Sequence, residues 1–197
     1  MTYIETEPDY TTTTASTLLA LLEQQHTTLP TGHEELLKHR EHRRQLEQQQ
    51  RLCDRTLEEW RVALAHRWEC EVLGQRLYLH IQTELRDYLG ENAAYLQLVA
   101  PTPHSDAVGL LADLRRTEAS LLLMQPRPAF VAERLAQLAA ACHDLDEALS
   151  WTSRAEADRR AALHAMRLLE QAHQRLCEQT RRLLNEYAGA RSPLVFS

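Results

Sequence analysis

The chain is predicted to be all-α: an elongated, antiparallel helical bundle built on two long helices of about 55–60 residues and two short ones. Three observations lead there. Proline is absent between Pro30 and Pro101 and again between Pro128 and Pro193. Those stretches are rich in Leu, Ala, Glu, Gln and Arg, residues that lose little conformational freedom in a helix. Strand formers are scarce, and the threonines crowd into residues 11–14.

Taken in order, residues 1–11 read as a flexible acidic tail. The threonine run then offers N-caps for a short helix over about 14–27, with Leu18, Leu19, Leu21 and Leu22 as its apolar face. Pro30 breaks it. Thr31 followed by Glu34 is a capping-box pattern that opens a long helix over about 33–89. Along it, Leu46, Cys53, Leu57, Trp60 and Leu64 alternate in threes and fours, while Leu46, Leu57, Trp68 and Leu79 recur every eleven residues. The eleven-residue period fits a nearly straight helix. From Trp68 the apolar face widens through Val72, Leu73, Leu77, Ile81, Leu85 and Leu89, which requires more than one partner helix. Residues 38–51 are almost wholly polar apart from Leu46, so that end either projects into water or meets a polar partner.

Gly90 reads as a C-cap and residues 91–105 as a connector. A second short helix over about 106–124 starts at Ser105 or Asp106 and presents Leu110, Leu111, Leu114, Leu121 and Leu122. The last helix spans about 128–188. One of its seams runs through Leu135, Leu138, Cys142, Leu145, Leu149 and Thr152, and the next through Ala162, Met166, Leu169, His173, Leu176, Thr180, Leu183 and Tyr187. The polar stretch 153–160 between them predicts a shift of seam, with a kink or an opening. Short helix, proline break, long helix thus occurs twice, over 12–100 and 101–190, followed by a tail over 191–197. Asp87-Tyr88-Leu89-Gly90 and Glu186-Tyr187-Ala188-Gly189 end the two long helices alike, which suggests an internal duplication. Acid-before-base pairs four apart support the exposed faces: Glu34–Lys38, Glu47–Arg51, Glu156–Arg160 and Glu178–Arg182.

The net charge of −6 argues against nonspecific nucleic-acid binding, which relies on a basic face. The acidic start lacks the basic and apolar regions of a secretory signal, and no apolar run approaches a membrane span. A cytoplasmic protein is expected. Cys53, Cys70, Cys142 and Cys177 show no paired metal spacing and read as buried, reduced thiols.

Ten histidines raise metal chemistry. Glu23–His26 and Glu170–His173 have the Glu-x-x-His spacing of di-iron carboxylate bundles, which sets both ligands on one helical face. The pattern is broken, because one pair sits on a short helix and the other on a long one. His33, Glu35, His39 and His42 form a denser group; Glu35, His39 and His42 lie on one side at spacings of four and three, suited to a divalent transition ion. The neighbouring Arg40, Arg43 and Arg44 oppose a cation there, so a solvated mixed face is the expectation, and zinc would call for a second chain. Arg61–His66, Arg159–His164 and Arg167–His173 match the Arg/His spacing of helical-bundle ribonucleases. In that spacing alone the chain is similar to the HEPN family; the resemblance implies RNA cleavage, with Arg159 and His164 of most interest. No nucleophile elbow, P-loop, dinucleotide fingerprint or HExxH occurs. Trp60, Trp68 and Trp151 read as core anchors. The tail from Pro193 through Leu194, Val195 and Phe196 either folds back or docks into a partner.

The sequence therefore points to a non-enzymatic interaction or assembly protein without a cofactor, pairing with a protein partner or with itself as a homodimer. A metal-binding bundle using Glu and His and a HEPN-like ribonuclease are the alternatives.

Overall fold

A computed structural model describes residues 17, 18, 20, 22–24, 31–90 and 106–191, with side chains described as far as 187. The acidic tail 1–11, the connector 91–105 and the tail 192–197 lie outside the described residues. Among the described residues all regular structure is helical: a first long helix, Gly32–Leu89, a short helix, Ala107–Leu123, and a second long helix, Val131–Arg191. Residues 17, 18, 20 and 22–24 are helical as well. The predicted ends hold. Gly90 adopts φ 64° and its N–H donates to the Arg86 carbonyl at 2.9 Å, the left-handed cap a helix end asks of glycine. Asp106 accepts from the Gly109 N–H at 2.8 Å and caps the short helix.

The chain groups into two compact units: a mid-chain unit, Thr56–Arg159, and a terminal unit made of Met1–Arg55 with Arg160–Ser197. Each takes part of both long helices, so the grouping runs across the two short-plus-long repeats of the sequence. Repeats concern chain order and units concern packing, and neither decides the other.

In the mid-chain unit the two long helices run antiparallel. Thr152 Oγ1, whose hydroxyl donates to the Ala148 carbonyl of its own helix at 2.8 Å, also lies 3.2 Å from the Ala63 carbonyl, while Arg134 forks onto Glu84 with two 2.7 Å hydrogen bonds. The short helix closes a core of Ile81, Leu85, Leu111, Leu114, Leu121, Val131, Leu138 and Leu145. Gly74 makes that closeness possible: a Cβ there would meet Leu114 Cδ1 at 3.2 Å. In the terminal unit the long helices are again antiparallel, with Gln49 donating to the Ala162 carbonyl at 2.8 Å and Glu35 level with Thr180. Leu18 and Leu22 are buried beside them, and Glu23 pairs with Arg40 at 3.0 Å.

Burial on both long helices follows alternating threes and fours. Residues 39, 42, 46, 49 and 53 of the terminal unit are buried or half-buried, as are 56, 60, 63, 67, 70, 74, 77 and 81 of the mid-chain unit. On the second long helix the same holds for 145, 148, 152, 155 and 159, and for 162, 166, 169, 173, 176 and 180. Several expectations change accordingly. The eleven-residue stripe is not the packing seam: Trp68 is 65% and Leu79 53% exposed. A seven-residue seam and an eleven-residue stripe drift in opposite senses by about 20° per repeat, so they separate along the helix. The tryptophans are not core anchors either. Trp60 is half-buried beneath Arg159, whose guanidinium carbon lies 4.7 Å from the ring centroid, and Trp151 is exposed. Through 153–160 the helix is uninterrupted and the three-and-four spacing of covered positions does not shift. Ala155 is buried and Arg159 occupies the following seam position, its stem apolar and its head over Trp60. Glu47 pairs with Arg43 at 3.1 Å, whereas Glu34–Lys38 forms as expected at 2.9 Å.

Leu114→Ala is expected to lower the unfolding free energy by about 2–5 kcal/mol, because it empties a fully buried site. Leu79→Ala changes it by less than about 0.5 kcal/mol. Urea denaturation followed by circular dichroism checks both values.

Candidate functional site

In the terminal unit the first long helix carries Glu35, His39 and His42, and the second carries His173, Cys177 and Thr180. Each trio is spaced by four and three residues and so lies along one helical face. Antiparallel packing turns the two faces toward each other. His39 is fully buried, and its Nε2 lies 2.9 Å from Thr180 Oγ1. Thr180 donates in turn to Glu35 Oε2 at 3.1 Å, and Glu35 Oε1 accepts from Lys38 at 3.0 Å. The His39 and His173 rings meet edge to face at 5.7 Å between centroids, and the His42 ring lies 6.2 Å from His173. Cys177 Sγ sits 3.7 Å from His173 Nε2. One donor atom each from His39, His173 and Cys177 falls within 4.8 Å of the others, and among the described residues this is the group of His, Cys and acidic side chains so gathered.

Burial decides the charge state. Desolvation pushes the His39 imidazole below its usual range and the neighbouring His173 adds to that; Glu35 acts the other way, and His42 lowers it least. Desolvation lowers His173 too, with His42 contributing. The Cys177 thiol is pushed up, again chiefly by desolvation. Near neutral pH His39 and His173 are uncharged bases and Cys177 is a protonated thiol. Such a thiol is a poor nucleophile, which sets this group apart from an activated catalytic cysteine. Nδ1 of His39, His42 and His173 is buried in each case without a hydrogen-bond partner.

The sequence candidates divide. His39 and His42 join this site and Glu35 supports it, so the solvated face expected for 33–42 gives way to a polar interface between helices. The expectation that a metal there would call for a second chain changes too, since the second long helix of the same chain supplies the facing donors. His33 and Glu170 are exposed and stay outside the group. Glu23 pairs with Arg40, and His26 lies outside the described residues. Of the Arg/His pairs, Arg61 binds Glu58 at 3.6 Å, His66 lies 5.7 Å from the Trp151 ring, and Arg159 stacks on Trp60. Arg167 and His164 are exposed. His173 belongs instead to the new group. Cys177 and Thr180 were missed as functional residues. Their signal was the alignment of His173 and Thr180 on one seam with His39 on the other, legible only once the helices are paired.

Protonation of the buried histidines opposes folding. Their native values lie below the unfolded imidazole's 6.5, so the unfolded chain binds more protons as acid is added. Stability is therefore full above pH 6.5 and lost as pH falls below it. In chelator-treated protein the urea midpoint should drop between about pH 7 and about pH 5, with a shallower slope in His173→Gln. No protein-family model, curated protein or solved structure matches the chain, and the chemistry of the site rests on its geometry.

Proposed function

We propose that the protein is a non-enzymatic helical assembly protein that pairs with a second copy of itself. A second apolar seam carries this reading. Ala65, Trp68, Val72, Gln75 and Leu79 follow one another at spacings of three, four, three and four, the interval at which helices interlock. Val72 is half-buried and the other four are exposed. None of the five is charged, so two copies of the seam can face each other without like-charge repulsion. Opposed copies are the symmetric arrangement most homodimers adopt. Trp68 supplies a large anchor of the type that dominates interface energetics.

Among the described residues no helix is long and apolar enough to cross a bilayer.

Size-exclusion chromatography with light scattering over a concentration series tests the pairing. The native chain should reach a dimer mass, and Trp68→Glu with Leu79→Glu should return it to a monomer of unchanged helical content. A native chain that stays monomeric at high concentration removes the proposal. A dimer that survives both substitutions moves the association away from this seam.

A further inference from the structure

We infer that His39, His173 and Cys177 bind a divalent transition-metal ion of the zinc class, three protein donors that leave a fourth position to an exogenous ligand. The inference is independent of self-association and rests on the interior of the terminal unit.

The hydrogen-bond chain behind His39 sets its donor atom. Glu35 accepts from Lys38 on one oxygen and from the Thr180 hydroxyl on the other. Thr180 has a single hydroxyl hydrogen, and it is directed to Glu35. The contact between Thr180 Oγ1 and His39 Nε2 must then be made by a hydrogen on Nε2. In that tautomer the lone pair of His39 resides on Nδ1, the buried atom without a partner. A carboxylate backing a histidine through its far nitrogen is the arrangement that orients metal-bound imidazoles; here a threonine hydroxyl is interposed.

The opposite helix supplies the complementary donors. His173 and Cys177 are four residues apart, and their 3.7 Å separation matches the edge of about 3.5 Å expected between nitrogen and sulfur ligands of a tetrahedral zinc ion. Imidazole and thiolate donors favour zinc, cobalt or copper over magnesium or calcium, which prefer oxygen ligands. Glu35 is engaged by Lys38 and Thr180 and supports the site from behind. The His39 Nδ1 lone pair, buried without a partner, would be costly in the absence of an occupant. On binding, the Cys177 S–H bond breaks, a sulfur–metal bond forms, and the proton passes to solvent. The neutral histidines bring lone pairs and release none, so one proton is released per ion.

The same His-x-x-x-Cys spacing occurs at exposed His66 and half-buried Cys70, 3.9 Å apart, with no third such donor grouped with them among the described residues. This pair is a built-in control. The full-length chain, stripped with chelator, is titrated with cobalt(II) and then with zinc(II). One equivalent of cobalt should produce a thiolate-to-metal charge-transfer band and the visible bands of a four-coordinate ion, and zinc should erase them. Cys177→Ala should abolish the charge-transfer band and Cys70→Ala should leave it. Thr180→Val, which keeps the shape but removes the hydroxyl, should weaken binding about 10–100-fold. The proposal fails if the wild-type chain shows no charge-transfer band at saturating cobalt, or if the band depends on Cys70 and not on Cys177. Unchanged affinity in Thr180→Val overturns the assigned role of the Glu35–Thr180 chain.

Discussion

Two long helices can bury one another only where their side chains recur every three and four residues. Here many of those positions are held by residues that do not look like core. Ala63, Ala148, Ala155 and Ala162 are small, while His39, Gln49, Thr56, Thr152, His173 and Thr180 are polar. Small residues let backbones approach; polar ones must then find partners across the interface, because an unpaired buried donor or acceptor is expensive. Gln49 reaching the Ala162 carbonyl and Thr180 reaching Glu35 are answers to that requirement, and Thr152 meets it chiefly through the Ala148 carbonyl of its own helix.

The histidine and cysteine group follows from the same constraint carried one step further. Within the terminal unit the seam brings His39, His42, His173 and Cys177 together, and their neighbours satisfy one side of the group while leaving nitrogens on the other side unmatched. The mid-chain unit solves its packing differently, with a short third helix seated against Gly74 and a core of leucines. An apolar core leaves few open valences. The seam of the terminal unit leaves buried histidine nitrogens without partners, and the proposed metal site lies there.

The exposed stripe on the first long helix has a geometric origin. Residues spaced by seven turn slowly one way around an ideal helix and residues spaced by eleven turn the other way. Leu46 and Leu57 remain partly covered, whereas Trp68 and Leu79 face water. A second seam separated in this way from the packing seam is available to another helix without disturbing the first.

Helical class, the long Pro-free spans, the Gly90 cap and the Asp106 start were legible in the sequence, because they depend on local conformational preference and on proline and glycine, which act at their own positions. Hydrophobicity misassigned part of the seam: it favoured Trp68 and Leu79 and passed over Ala63, Gly74 and Ala155, whose burial depends on a partner rather than on their own affinity for water. His39 and His42 were visible as candidates, as was His173 in another pattern. That these three share a site, with Cys177 and Thr180, was decided by the antiparallel register of the two long helices, which brings together residues more than a hundred positions apart. No spacing along one strand of sequence encodes such a register; it is set by which seam positions of the two helices fit together, and so only the tertiary structure could supply it.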